Sequence, residues 1–200
     1  MAKRKIVLQE NEPSLPIKAF TKSSVWGIQE NEVIQLWEGA TKDIKVRENI
    51  QHYLDIFKSA FLIEEVKDGT MYDRNSYEKR GYEIAQIDFG DGLRFVWAIK
   101  KRPIIHVTDL TYENIRYISI AKLIDLLDHN FGGGWGALSY STQNIILSVF
   151  DISTITLPKD RLHKKGGVYD KNIEDGFDVL EVPKGNWIEA IFVKEKSKQD

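Results

Sequence analysis

Apolar residues recur at intervals of three and four positions in the first half of the chain, which is the spacing of one face of an α-helix. The pattern predicts one long amphipathic helix over residues 43–65, with Asp43 as its N-cap. Its apolar stripe consists of Val46, Ile50, Tyr53, Leu54, Phe57, Ala60 and Phe61.

Two more helices are predicted on either side of a run of glycines. The first carries the stripe Ile120, Leu123, Ile124, Leu127 and Phe131 and is stopped by Gly132–Gly134. The second covers residues 139–151, with Ser139 or Ser141 at its start. Segment 111–157 holds only six charged residues, so we expect this helix–glycine turn–helix unit to organise the core.

Alternating and β-rich runs predict two hairpins. Residues 82–89 and 93–99 flank Gly-Asp-Gly, and a third strand is predicted at Ile104–Val107. Residues 177–182 and 187–193 flank four consecutive turn residues near the end of the chain.

The segments outside these patterns are predicted as loops or termini. Residues 67–81 and 158–176 are polar and aperiodic, which is typical of long loops. Near the start we expect at most one short strand, at Lys5–Gln9, in an arm interrupted by prolines.

The order of the predicted elements favours an α+β fold, in which antiparallel hairpins pack around the helix–glycine turn–helix unit and the long helix of the first half. We predict an N-terminal arm over 1–40, a single domain over 41–194 and a frayed tail over 195–200. The sequence shows no internal repeat, since the dipeptide Trp-Gly occurs only twice.

Composition narrows the class of protein. The 200 residues carry 28 Lys+Arg against 30 Asp+Glu, a formal charge of −2, and no cysteine. Near-neutral charge disfavours a general nucleic-acid coat. The lack of cysteine and of a secretory or membrane-spanning segment leads us to expect a cytoplasmic, intracellular protein without membrane association.

Short motifs for enzyme chemistry have simpler structural explanations. Asp88-Phe89-Gly90 matches the magnesium-binding tripeptide of kinases, but the chain lacks the companion motifs and the tripeptide fits a hairpin turn. The glycine-rich run 132–136 lacks the lysine and the serine or threonine of a phosphate loop, so we interpret it as a hinge with Trp135 as a packing anchor.

Histidine and carboxylate residues share faces of two predicted helices, at Glu48, His52 and Asp55 and again at Asp125, Asp128 and His129. These faces lie opposite the apolar stripes, where charged residues normally meet water. His106 with Asp109 has no nucleophile elbow to serve. We therefore predict no catalytic residue, no metal and no cofactor. A small hydrolase or metal-dependent enzyme stays a third alternative.

Clusters of cations support a second alternative, a nucleic-acid-binding accessory protein. The candidate contacts are Lys100, Lys101 and Arg102 after the first hairpin and Lys164 and Lys165 in the late loop. Tyrosines interleaved with cations over 67–82 would suit base stacking. Charged loops are more often only solvated.

Aromatic residues carry the leading interpretation. Five Trp, eight Tyr and nine Phe occur in the chain, and aromatic residues are enriched in interface cores. We expect a non-enzymatic protein-binding or assembly component that binds a protein partner or itself. The predicted contacts are Trp26, Trp37, Tyr72, Tyr77 and Trp135.

Overall fold

The computed structural model describes residues 15–66, 71–130 and 132–197, with residues 71–73 as backbone only. Contacts divide the chain into two compact units, Met1–Arg102 and Pro103–Asp200. Each unit has helices and one antiparallel three-stranded sheet, so the fold class is α+β, as predicted. Within the described residues, no helix is long and apolar enough to cross a membrane.

The described part of the first unit begins with two short 3-10 turns and continues with helices before and between its strands. The turns are Ile17–Ala19 and Ser24–Gly27, and the later elements are α1 (Glu30–Ala40), α2 (Ile44–Glu48), α3 (Ile50–Phe57), β1 (Phe61–Glu65), α4 (Met71–Lys79), β2 (Glu83–Asp88) and β3 (Arg94–Lys101). The strand order is β1-β3-β2. Phe61 lies opposite Lys101, and Glu83 lies opposite Ile99.

Both faces of this sheet are covered. Trp37 of α1 is fully buried, and its ring contacts those of Phe57, Phe89 and Trp97. The opposite face packs against α4 through a cluster that contains Tyr77, Tyr82 and Ala98. Because side chains alternate along a strand, Trp97 and Ala98 of β3 lie on opposite faces of the sheet.

The second unit has 3-10 turns at Val107–Asp109, Ile115–Tyr117 and Trp135–Ala137. Its other elements are α5 (Ile120–Asp128), α6 (Tyr140–Leu147), β4 (Phe150–Pro158), α7 (Lys159–Leu162), α8 (Val168–Glu174), β5 (Asp178–Lys184) and β6 (Trp187–Glu195). The strand order is β4-β6-β5, with Phe150 opposite Glu195 and Asp178 opposite Val193.

This second sheet also lies between two layers. Ile191 and Val193 belong to the cluster formed with the leucines of α5 and with Ile146 of α6. Ala190 and Phe192 belong to the cluster on the other face, which contains Leu162 of α7. Successive side chains of β6 therefore pack on opposite faces of the sheet, as those of β3 do.

The two units have a similar order of elements and the same strand order. In each unit, 3-10 turns and helices precede a first strand, one or two helices follow it, and a hairpin completes the sheet with its last strand in the centre. Fully buried Val25 and Val33 of the first unit correspond to fully buried Ile115 and Leu123, 90 positions later. The likeness lies in topology and in these apolar positions, and the two halves of the sequence share no recognisable motif.

Packing of the early segment also changes the predicted division of the chain. The prediction of an arm over 1–40 and one domain over 41–194 does not match the two units. Residues 17–40 contribute buried side chains to the first unit. Removing these apolar side chains from water is favourable, and an exposed arm would leave them in water. The predicted strand Lys5–Gln9 lies outside the described residues.

The single helix predicted over 43–65 is wrong, because this segment forms two shorter helices, α2 and α3, and then the strand β1. Asp43 does cap a helix, since its carboxylate accepts hydrogen bonds from the main-chain N–H groups of Lys45 and Val46. The helix breaks at Asn49, which has φ −123° and ψ 28°. Residues 61–65 form a strand because β3 supplies their main-chain partners, which an isolated helical pattern cannot reveal.

Other predictions are confirmed or corrected in the same way. Both hairpins are present, and the side chain of Ser139 caps α6. The third strand predicted at Ile104–Val107 is wrong, because β1 takes that place in the first sheet. The predicted helix over 139–151 ends at Leu147, and residues 150 and 151 join β4. The predicted loops contain α4, α7 and α8. The helices α4 and α7 pack on the strands, and α8 packs there through Tyr169 against Phe192, and such packing stabilises short helices.

Candidate protein-interaction site

Two of the aromatic side chains predicted to bind a partner are buried within the first unit. Trp26 is 7% exposed and Trp37 is 0% exposed. Both belong to the core, so neither is available to a partner in this fold. The prediction for these two residues is corrected by the same packing that orders residues 17–40.

The other three predicted aromatic contacts have different positions. Tyr77 is half-buried, and its ring lies against Tyr82 and beneath the guanidinium of Arg80. Trp135 is half-buried against the α5 and α6 layer. The side chain of Tyr72 lies outside the described residues. Neither Tyr77 nor Trp135 therefore has a largely exposed side chain.

Three cations predicted to bind nucleic acid hold the first unit together. Lys100 Nζ donates a hydrogen bond to the carbonyl of Arg80. Lys101 Nζ donates to the carbonyls of Trp26 and Ile28, and burial lowers the pKa of this ammonium.

Arg102 Nε donates to the carbonyl of Lys58. Lys164 and Lys165 are exposed and make no hydrogen bond or ion pair through their side chains with any described residue. The basic set therefore divides into three structural cations and two solvated ones.

The candidate metal and catalytic groups make local contacts. No group of three histidine, aspartate or glutamate residues that could hold a metal ion occurs among the described residues. Asp109 accepts hydrogen bonds from the N–H groups of His106 and Ile105, and these bonds lower the pKa of its carboxyl. Asp125 raises the pKa of exposed His129 through a main-chain hydrogen bond and its charge.

The kinase-like tripeptide is part of a hairpin turn. The carboxylate of Asp88 accepts a hydrogen bond from the N–H of Gly90 and pairs with Arg94. Both contacts lower the pKa of Asp88, the main-chain bond more than the arginine. This arrangement closes the turn between β2 and β3.

The glycine-rich run 132–136 packs against a buried carboxylate that sequence reasoning missed. Glu189 of β6 is 6% exposed and accepts a hydrogen bond from the main-chain N–H of Trp135 at 3.2 Å. Its Oε2 lies 2.6 Å from Lys184 Nζ. A Cβ on Gly134 would lie 2.1 Å from this Oε2. The N–H of Trp135 is therefore already bonded within the protein and serves to hold the loop on the hairpin.

An open depression of about 980 Å³ lies beside the start of β4. Its lining carries charges of both signs, from Arg116, Asp151, Glu195 and Lys196. Lys196 Nζ donates a hydrogen bond to the carbonyl of Leu147. The wide mouth and the opposed charges do not define a chemical class of substrate.

The outer edge of β4 is the surface feature that differs most from its counterparts. Sheet edges carry unpaired N–H and C=O groups, and proteins usually protect them with charges, prolines or short strands. Three of the four edge strands follow that rule: β1 has five residues and ends in two glutamates, β2 begins and ends with carboxylates, and β5 contains Asp178, Glu181, Pro183 and Lys184. In β4, nine residues long, Asp151 is the one charged residue.

The ladder shows which main-chain groups of β4 point away from the sheet. The carbonyl of Val149 accepts from the N–H of Lys196, and the N–H of Lys159 donates to the carbonyl of Asn186. Hydrogen-bonded pairs alternate along an antiparallel ladder, so the odd-numbered residues of β4 bond to β6. The main-chain groups of the even-numbered residues point outward.

The outward groups form an unoccupied row on Ile152, Thr154 and Thr156. No described residue makes a main-chain hydrogen bond to them on that side. The side chains of Thr154 and Thr156 are exposed, and that of Ile152 is half-buried. Pro158 ends the row because it has no N–H. We call the outward groups of residues 152–156 the β4 edge.

One sequence signal could have indicated this strand. Residues 152–157, Ile-Ser-Thr-Ile-Thr-Leu, are rich in β-branched side chains and contain no charge. The helix predicted over 139–151 ends just before this segment, and no strand is predicted there. Its position at an edge could not be read from the sequence, because strand order depends on tertiary pairing.

Comparison with protein-family models, with curated proteins and with solved structures finds no match for this chain.

Proposed function

We propose that the protein is a non-enzymatic protein-binding or assembly component that binds by accepting an additional strand at the β4 edge. The observation that carries this proposal is the row of outward N–H and C=O groups at Ile152, Thr154 and Thr156, on a strand without charge from residue 152 to 157. Strand addition of this kind derives affinity from main-chain hydrogen bonds and specificity from alternate side chains.

The surroundings of the β4 edge support strand addition. Ile152 is half-buried on the α5 and α6 face of the sheet, whereas Ile155 and Leu157 are half-buried on the opposite face. A strand placed beside β4 would cover apolar surface on both faces. Burial of that surface adds to the main-chain hydrogen bonds.

The proposed setting is the cell interior. Absence of cysteine from all 200 residues fits a protein that does not depend on disulfides. A free, uncharged edge also requires that its partner be present where the protein is made, because such edges otherwise promote non-specific pairing.

The test uses a fluorescent peptide with the sequence of residues 150–158 as the strand probe. We expect saturable binding to dilute protein, measured by fluorescence anisotropy. A control peptide with proline in place of the residue equivalent to Thr154 should bind far more weakly, because it lacks one central N–H donor. Equal binding of the two peptides would contradict strand addition.

Amide hydrogen exchange locates the binding. In the free protein, the odd-numbered amides Ser153 and Ile155 should exchange slowly, whereas the even-numbered amides Ile152, Thr154 and Thr156 should exchange fast. Bound peptide should slow the even-numbered set. The proposal fails if the even-numbered amides exchange fast both with saturating peptide and at high protein concentration.

A further inference from the structure

We infer that the strand accepted at the β4 edge belongs to a second copy of this chain, which pairs antiparallel about a twofold axis in the middle of β4. This inference rests on the proposed function and names its partner. Two three-stranded sheets would then form one continuous sheet of six strands. The alternation of hydrogen bonds, the charges and the side-chain faces of β4 all support this pairing.

The outward main-chain groups of β4 can pair with the same groups of a second copy. With the axis at Thr154, residue 154 lies opposite itself and Ile152 lies opposite Thr156 of the other copy. With the axis at Ser153, Ile152 lies opposite Thr154. In both registers, even-numbered residues meet even-numbered residues, so every outward N–H faces an outward C=O.

Charges do not oppose this pairing. Asp151 is the one charged residue of β4. It would lie opposite Leu157 of the other copy with the axis at Thr154, and opposite Ile155 with the axis at Ser153. Like charges directly opposite one another destabilise a strand pair, and neither register creates such a pair.

The faces of the sheet also continue correctly. A twofold axis perpendicular to the sheet keeps the α5 and α6 layers of both copies on the same face. Exposed Thr154 would then lie opposite Thr154 or Ile152 of the other copy, and exposed Thr156 opposite Ile152 or Phe150; cross-strand pairs of β-branched and aromatic side chains are favourable.

The geometry limits the assembly to two copies. Pairing of one patch with its own copy is isologous and closes on itself. The second outer edge of this sheet, on β5, carries charges of both signs and Pro183. These groups oppose continuation of the sheet.

The deciding measurement is the mass of the full chain in solution against concentration, by sedimentation velocity. We expect the mass to rise from 23.1 kDa towards twice that value as concentration increases. The variant Thr154→Pro should remain a monomer, because it removes an outward N–H and leaves the bonds to β6 intact. The matched variant Thr154→Val keeps the N–H and the side-chain shape and should dimerise like the natural chain.

Folding of the proline variant is checked within the same experiment. Pro183 occupies an outward position on β5 of the same sheet, so proline is compatible with such a site. Slow exchange of the Ser153 and Ile155 amides should persist in Thr154→Pro. If that variant does not fold, Thr154→Lys provides a second test, because two lysines would meet near the axis.

Single cysteines identify the register. The natural chain has no cysteine, so a disulfide-linked dimer must form through the introduced residue. Oxidation of Ser153→Cys or of Thr154→Cys should produce a dimer on a non-reducing gel, whereas Glu181→Cys on the β5 edge should not. Equal cross-linking at all three positions would contradict a specific β4 pairing.

The outcomes separate this inference from the proposed function. A chain that stays at 23.1 kDa at every concentration, while its β4 edge binds the peptide, overturns the inference and leaves strand addition intact. A dimer that persists in both Thr154→Pro and Thr154→Lys also overturns it. Loss of peptide binding together with fast exchange of the even-numbered amides overturns both.

Discussion

Replacement of Gly134 by alanine should destabilise the second unit strongly. Gly134 has φ 80° and ψ 166°, a region that is essentially restricted to glycine and costs other residues about 1–3 kcal/mol. The new Cβ would also lie 2.1 Å from Glu189 Oε2, so the buried carboxylate must move. Disturbing its contacts with Trp135 and Lys184 costs roughly another 1–3 kcal/mol.

These two contributions predict a loss of about 4 kcal/mol in the free energy of unfolding. The assay is urea unfolding followed by circular dichroism, with Gly136→Ala as the matched control in the same loop. Gly136 has no strained φ and no atom within 4 Å of an added Cβ, so its variant should lie within about 1 kcal/mol of the natural protein.

A double variant tests the cause of the loss. Shortening Glu189 to serine in the Gly134→Ala background removes the collision. The double variant should therefore lose less free energy of unfolding than the sum of the losses in the two single variants. The reasoning is refuted if Gly134→Ala is as stable as Gly136→Ala. It is also refuted if the two substitutions are additive, because the steric contact would then contribute nothing.

Three other perturbations test the first core, the half-buried Lys101 and the half-buried Tyr169. Trp37→Ala should lower the free energy of unfolding by about 3–5 kcal/mol, whereas Trp37→Phe should cost less because the indole N–H is buried without a hydrogen-bond partner; equal stability of Trp37→Ala and the natural chain in urea would contradict its place in the core. Lys101→Met should cost about 1–3 kcal/mol through loss of its carbonyl contacts, whereas exposed Lys164→Met should stay within about 0.5 kcal/mol; urea unfolding that ranks them in the reverse order would be inconsistent with the structure. Burial, followed by the hydrogen bond to Glu181, raises the pKa of Tyr169 to about 12. Since this folded-state pKa exceeds the ordinary value of about 10, the contribution to stability is present below pH 10 and decreases as pH rises towards 12. The late part of the phenolate absorbance titration should lose the amplitude of one tyrosine in Tyr169→Phe, while Tyr82, whose pKa is also raised by burial, still contributes to it.

Local signals predicted the elements whose causes lie close together in the chain. The Asp43 carboxylate and the Ser139 hydroxyl each bond to N–H groups two or three positions later, so the sequence contains the whole cap. The turn around Gly90 depends on Asp88 two residues earlier. Such contacts require no distant partner, and the sequence predicted them.

Most of the candidate site depends on distant partners. The main-chain N–H of Trp135 donates a hydrogen bond to Glu189, 54 positions later. The motif of a phosphate loop contains no residue at that distance, so the glycine-rich run does not indicate this partner. Lys101 belongs to a basic run, yet its ammonium donates hydrogen bonds to the carbonyls of Ile28 and Trp26, which lie 73 and 75 positions earlier in the chain. Composition alone favoured solvent or nucleic acid as the partner of these groups.

The sequence by itself determined the α+β class, the two hairpins and the caps of α2 and α6, because each follows from short-range periodicity or from side-chain bonds within one turn. Only the tertiary structure decided that residues 61–65 are a strand, that Trp26 and Trp37 are core, and that the chain forms two compact units. It also decided that β4 lies at an edge. Burial and strand pairing join residues far apart in sequence, and a residue's own neighbours do not specify which distant surface will cover it.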